Sequence, residues 1–322
     1  MNEHIAARYR RFAELEARGR SPLYEAFALG VAVDPFALGF LATLPVDRQQ
    51  PNLLFAALRH HCGTAPDWPA FRALLSAHAA EVRATMLGRR TQTNEPGRCA
   101  VLLPLLARLP QPLALLEVGA SAGLCLLPDR YGYDYGDRRL SPPTPDAPVF
   151  SCAAAEAPLP LVLPRVVWRL GLDLEPLDVT DASDTAWLET LVWPEQTDRL
   201  RRLRAALHVA RSDPPRIVRG DLLKDLPDHA RQAPDAATLV VFHSAVLAYV
   251  ANAGLRDAFV RAVQALGAVW ISNEVPGVLP SIARRLDRRG PQGAFLLSMD
   301  GAPVAWTDPH GAWIEWIAAK EK

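Results

Sequence analysis

The pattern of apolar and polar positions changes character near residue 110. Before that point, apolar residues recur three and four apart among arginines, glutamates and alanines, the spacing of a single buried helical face. The stretch 5–17 reads this way. Ser21-Pro22 and Asp34-Pro35 each join a capping side chain to a proline suited to the first helical turn. Both predict helix starts, the second leading into 36–44. Pro51 opens a helix over 52–61, Asp67 opens one over 68–87, and Asn94 caps a last one over 95–109. No strand is expected in this part.

From Pro112 short apolar runs alternate with helical segments. Positions 113–118, 165–172, 216–218, 238–242 and 268–271 read as buried strands, with helices over 184–211 and 254–266. Such alternation predicts an α/β, Rossmann-like doubly wound sheet. The end differs: 295–299, the turn Asp300-Gly301 and 303–307 predict an antiparallel hairpin, which 313–317 extends. Two domains are therefore expected, an all-helical one over 1–110 and a Rossmann-like one over 111–322 that closes in an antiparallel C-terminal ribbon. The proline-rich stretch 141–148 reads as a surface loop.

Composition narrows the classes. Half of the 322 residues are hydrophobic, enough for a sizeable core, and 35 basic residues balance 35 acidic ones. A neutral chain has no global field drawing it to nucleic acid or to an anionic membrane. The basic runs at Arg201-Arg202 and Arg284-Arg285 lie in helix-like stretches and read as solvated faces. No apolar stretch reaches the length of a membrane span, and the N-terminus carries no apolar signal core. Cys62, Cys99, Cys125 and Cys152 are scattered without a Cys-x-x-Cys pair. They read as thiols of a reducing, cytoplasmic compartment. His60-His61-Cys62 would point in divergent directions on a helix, so core packing is expected there and no metal site.

The chemistry concentrates in Glu117-Val118-Gly119-Ala120-Ser121-Ala122-Gly123. A strand ending in an acid and entering a run of small residues lets a ligand approach the backbone, at the sheet edge where open α/β folds bind ligands. The spacing is neither the dinucleotide fingerprint nor a phosphate-binding loop with Gly-Lys-Ser/Thr. It does satisfy Gly-x-Ser-x-Gly, the nucleophile elbow of serine hydrolases, with Ser121 as nucleophile and His243 or His310 as its partner. Against that reading stand the helical region before the loop and the acid at the strand end.

Glu117-x-Gly119-x-Ser121-x-Gly123 resembles the first motif of class I S-adenosylmethionine-dependent methyltransferases, with serine where glycine is usual. The whole chain is also similar to a bacterial family of unknown function. That resemblance is carried by Gln92-Thr93-Asn94-Glu95, Leu127-Pro128-Asp129-Arg130-Tyr131, Trp193-Pro194-Glu195-Gln196, Phe242-His243-Ser244, Ser272-Asn273-Glu274 and Asp308-Pro309-His310-Gly311. The methyltransferase resemblance implies a seven-stranded sheet and S-adenosylmethionine as cofactor. It places Glu117, Gly119, Ser121 and Gly123 at the cofactor, Asp173 (or Glu175) at the ribose, Asp221 near the adenine, and His243 at the fourth strand end as cofactor contact and base. A small-molecule acceptor is then expected near Asn94, Glu95 and Arg98, and near Asp129, Arg130 and Tyr131. A non-catalytic binding protein on the same fold is the third reading. Pro128, so soon after Gly123, leaves little room for the helix that ordinarily follows this motif.

Overall fold

The computed structural model describes residues 2–155, 158–250, 252–287 and 289–317. The protein is a mixed α/β molecule with a helical N-terminal region and a large mixed sheet. Six helices come first: α1 (Glu3–Phe12, continued by a π turn at Ala13–Ala17), α2 (Pro22–Val31), α3 (Pro35–Ala42), α4 (Pro51–Cys62), α5 (Trp68–Ala77) and α6 (Ala79–Gly88). The expected caps form. Ser21 Oγ accepts from Tyr24 N–H at 3.0 Å, Asp34 Oδ1 from Ala37 N–H at 2.7 Å and Asp67 Oδ1 from Ala70 N–H at 2.9 Å. The helix expected over 68–87 is interrupted at His78, whose ψ of 27° leaves the helical well. No single helix among the described residues is long and apolar enough to cross a membrane.

A 3₁₀ turn at Pro96–Arg98 leads into α7 (Cys99–Leu106). The helix expected over 184–211 is two, α8 (Ala182–Leu191) and α9 (Thr197–Ser212). Pro194 lies between them, and a proline there offers no amide to continue the ladder. The chain divides into two compact units, one of Met1–Thr93 with Ala182–Arg201, the other of Asn94–Asp181 with Arg202–Lys322. A single division at 110 therefore does not describe it: α7 lies in the second unit and α8 in the first.

Aromatic rings organise the first unit. Phe55 lies 4.9–6.1 Å, centroid to centroid, from the rings of Tyr9, Phe12, Tyr24, Phe27 and Phe71. Trp187 of α8 joins this core fully buried, with its indole N–H donating to Arg90 O at 2.9 Å. The Ser21 hydroxyl, besides capping α2, donates to the Glu195 carboxylate at 2.9 Å.

The second unit holds β1 (Leu113–Val118), β2 (Gly132–Asp134), β3 (Arg139–Leu140), β4 (Val149–Ser151), β5 (Ala153–Ala155), β6 (Val166–Asp173), β7 (Ile217–Arg219), β8 (Thr238–Ser244), β9 (Val269–Glu274), β10 (Phe295–Met299), β11 (Ala302–Thr307) and β12 (Trp313–Trp316). The main sheet runs β5-β12-β11-β10-β9-β8-β1-β6-β7. The five strands from β9 to β7 are mutually parallel; β10, β11 and β12 complete the sheet as an antiparallel ribbon. Nine strands replace the seven expected. The excursion between β1 and β6 sends β5 to the far edge, where it pairs in parallel with β12, and the ribbon holds three strands. The rest of that excursion forms a small sheet, β3-β2-β4.

The helix that ordinarily follows such a glycine-rich turn is reduced to a 3₁₀ turn, Leu124–Leu126, as Pro128 foreshadowed. Tyr131, Tyr133 and Tyr135 fill the space around it. Their hydroxyls donate to Leu124 O, Pro128 O and Ala100 O at 2.6–2.9 Å.

Phe55→Ala removes the hub of the first unit's aromatic cluster. It is expected to cost about 3–5 kcal/mol, read as a fall in the urea midpoint of the transition that exposes the aromatic core.

Candidate ligand site

The parallel strands diverge in order on either side of β1: β6 and β7 lie to one side, β8 and β9 to the other. The switch point of this open sheet is therefore the carboxyl end between β1 and β8, the place where α/β folds bind ligands. The turn after β1 sits there. Gly119, Ser121 and Gly123 all have positive φ, at 70°, 54° and 73°. Serine in that region is strained, which needs support from around it.

That support is a set of buried hydrogen bonds. Gly119 N–H and Ala120 N–H donate to Leu172 O at 2.7 and 3.4 Å, and Gly123 N–H to Ala120 O at 2.7 Å. Ser121 N–H donates to Asp173 Oδ2 at 2.8 Å, and Leu124 N–H to Asn94 Oδ1 at 2.8 Å. The Asn94 amide returns a bond to Ala120 O. Asp173 is pinned on its other side, Oδ1 accepting from Glu175 N–H at 2.8 Å. Five of the six amides from 119 to 124 thus already have acceptors in the protein, and only a three-residue turn follows. The loop is a poor cradle for phosphate, which needs several amides at a helix start.

Glu117 behaves oppositely. It is 4% exposed, and Oε2 is buried with no hydrogen-bond partner. Burial pushes its carboxyl well above the ordinary carboxylate range; the neighbouring Cys125 thiol adds to this, and Arg98 opposes it. Its strand neighbours Leu116 and Val118 belong to the apolar core on the other face, so the pleat carries Glu117 to the face opposite them. Arg98, at the end of the 3₁₀ turn, is buried too. Its Nε donates to Pro309 O at 2.8 Å and its Nη1 to Ser244 O at 3.0 Å. Two sequence motifs meet here, because a β-carbon at Gly311 would collide with the Gly97 carbonyl. The Glu95 side chain accepts from Gly97 N–H and supports the same turn.

His243 is fully sealed, and both ring nitrogens are engaged. The Trp270 indole N–H donates to Nε2 at 3.1 Å, so Nε2 accepts, and Nδ1 donates to Glu274 Oε1 at 2.8 Å. A ring held as this tautomer has no lone pair to offer a substrate, so the geometry gives His243 a positioning role in place of the base expected for it. Glu274 Oε1 also accepts from Val246 and Leu247 N–H, at 2.8 and 3.1 Å. Together they fix the turn after β8, in which Ala245 has a φ of 59°. That turn lays the Val246 methyls against Gly119, where an added β-carbon would collide with them. Trp270 and Glu274 were not singled out from the sequence as site residues. The polar run Ser272-Asn273-Glu274, closing an otherwise apolar strand, was the available signal.

The remaining expected residues have structural partners. Asp221 Oδ1 caps a turn by accepting from Leu223 and Lys224 N–H at 2.8 and 3.1 Å. Asp129 forms a two-pronged ion pair with Arg169 at 3.0–3.1 Å, Arg130 pairs with Asp213 at the surface, and the Tyr131 hydroxyl is taken by Leu124 O. The structure assembles Asn94, Glu95, Arg98, Glu117, Gly119, Ser121, Gly123 and Asp173 at the turn after β1. Asp129, Arg130 and Tyr131 instead hold the excursion that follows it.

Fold and site together define a mixed α/β protein with a buried carboxyl at the switch point of its sheet. The chain belongs to the family described as "Uncharacterized protein conserved in bacteria (DUF2332)", which matches residues 6–316. No curated protein and no solved structure matches it.

Two predictions follow from this geometry. The folded protein holds a proton on Glu117 that the unfolded chain has released, so stability falls as pH rises above the ordinary carboxylate range. Glu117→Gln removes that dependence. Its melting temperature is expected to exceed the parent's by a margin that widens as pH rises above the ordinary carboxylate range. Gly119→Ala is expected to cost about 1–3 kcal/mol before any ligand is added, from backbone strain and the collision with Val246. Adding Val246→Ala should restore only the part due to the collision, measured by chemical denaturation.

Proposed function

We propose that this site binds S-adenosylmethionine and that the protein transfers its methyl group to a small-molecule acceptor. The observation that carries the reading is Glu117: a buried carboxyl with a partnerless oxygen at the carboxyl end of the central strand. A group in that position is costly unless something satisfies it. The site suits a ligand that donates hydrogen bonds or carries positive charge and has no phosphate, since the loop amides are spent and carboxylates remain. Nucleotides bearing phosphates fit it less well. The cofactor, when bound, supplies a methyl group already activated on a sulfonium.

On this reading Glu117 meets the ligand's cationic end. Asp173, held by the amides of Ser121 and Glu175, faces the sugar hydroxyls. Asn94 keeps the turn in shape from behind, and the His243–Glu274 pair keeps the turn after β8 against it. Alignment then does most of the work, as methyl transfer from a sulfonium requires.

One observation favours a serine hydrolase: Ser121 has the positive φ of a nucleophile elbow. Two oppose it. The sealed His243 has no nitrogen to offer, and among the described residues no strand precedes β1, whereas hydrolases place strands before the elbow.

Calorimetric titration with S-adenosylmethionine and S-adenosylhomocysteine tests the reading. Both are expected to bind, and Glu117→Ala should weaken them by roughly one to two decades, the loss of a charge-assisted bond. Binding of the cation should strengthen as pH rises through the elevated range of Glu117, because the cation selects the ionised form. Ser121→Ala should leave binding intact. Failure of both ligands to bind the folded parent would falsify the proposal, and labelling of Ser121 by a fluorophosphonate would establish the hydrolase.

A further inference from the structure

The helix α3, Pro35–Ala42, is apolar along its whole length and carries no ionisable side chain. A helix apolar all round is ordinarily covered all round. This one is covered on one side. Ala37 and Leu41 are buried, whereas Pro35, Phe36, Gly39, Ala42 and Thr43 are exposed. At 3.6 residues per turn those five span an arc of about 120°, with Gly39 near its middle. Val33, just before the helix, is 74% exposed and extends the apolar surface.

Nothing inside the chain accounts for Gly39. A glycine within a helix is destabilising relative to alanine. Gly30 of α2 has a steric reason, since a β-carbon there would collide with the Trp68 ring. At Gly39 the backbone is helical, and a β-carbon would meet nothing within 4 Å among the described residues. What a missing side chain at the centre of an exposed face does permit is the close approach of another backbone.

Charge and shape select the occupant. The charges flanking α3 are answered within the chain: Asp34 pairs with Arg72 at 2.9 Å, and Asp47 with Arg48 at 3.3 Å. The face therefore offers nothing to select a charged partner. The chain as a whole has zero net charge, so like copies are not driven apart. The same face also carries both halves of a fit. The Phe36 ring, beneath the Arg72 guanidinium, stands one helical turn from the notch at Gly39. A surface that presents knob and hole together is complementary to itself, which is what a twofold contact needs. A lipid surface fits less well. Interfacial helices carry basic residues beside the apolar face, and glycine adds no side chain to bury.

We propose that the outer face of α3 docks on the same face of a second copy of this chain, the two helices crossing at Gly39 about a twofold axis. The inference is independent of any ligand at the carboxyl end of the sheet. A helix of eight residues is about 12 Å long, so the contact lies at the small end of specific interfaces and the dimer forms in the micromolar range.

Sedimentation equilibrium of the full chain over roughly 1–100 µM tests this. The parent is expected to show a monomer–dimer equilibrium. Gly39→Leu separates a close crossing from mere stickiness. Its side chain enters open space, so the fold tolerates it, with circular dichroism as the control. On a generally adhesive patch an added leucine strengthens association. At a close crossing it wedges the helices apart, and the dissociation constant should rise roughly tenfold or more. Gly39→Glu, which sets a carboxylate from each copy at the axis, should leave only monomer. A parent that stays monomeric throughout overturns the proposal, and binding of that monomer to phosphatidylcholine vesicles would assign the face to lipid. A dimer that Gly39→Leu leaves unchanged or tightens overturns it too, because the contact is then not built on Gly39.

Discussion

A backbone amide removed from water must find an acceptor. At the turn after β1 that constraint organises much of the second unit. The turn takes positive φ at three alternate residues, so its amides point where no regular ladder can meet them. They are met by Leu172 O and Asp173 from the next strand and by Asn94 from the segment before α7. Each such bond contributes about 1 kcal/mol, and leaving one donor unsatisfied costs about 1–3 kcal/mol. Three stretches far apart in sequence are thereby bound into one rigid corner, and the 3₁₀ turn that replaces a helix is tolerated because side chains have taken over its capping.

Against that background the exceptions are informative. The polar side chains around the corner, His243, Asn94 and Asp173, have their hydrogen bonds inside the protein, while Glu117 and Glu274 each keep one buried carboxyl oxygen with no partner. Locally satisfied groups and unsatisfied ones are interleaved within a few residues. Departures from otherwise consistent burial are where ligand chemistry is expected. The same contrast separates the two histidine readings. A histidine at the end of a central strand looks catalytic by position, yet the indole of Trp270 and the carboxylate of Glu274 convert it into a strut.

How much of this was legible depended on how local its cause is. The central strands were visible because they are buried on both faces and read as continuous apolar runs. The helix starts at Ser21, Asp34 and Asp67 were visible because cap and proline sit side by side. The shortened helix after Gly123 followed from Pro128 alone. What stayed hidden was non-local. Nothing near Ala153 announces that it will pair with Trp313, and nothing near Trp187 announces that it will fill a core built by the first ninety residues. Asp129 and Arg130 looked like pocket residues because they follow the loop in sequence, but Arg169 and Asp213, which hold them, lie 40 and 83 positions away. Glu274 was hidden for a related reason: its importance arises from the amides of Val246 and Leu247, on another strand's turn.

The discontinuity of the first unit has a consequence for biosynthesis. Most of its ring cluster is laid down within the first ninety-three residues, but Trp187, Trp193 and Glu195 arrive only after β1 to β6 have been made. During translation the early helices must persist as an apolar cup with a missing stopper until a segment some ninety residues downstream leaves the ribosome. Long-range closure of this kind is slow relative to local helix formation. It also means that no single cut in the chain can separate the helical unit intact, since each end of the α8 segment returns to the other unit.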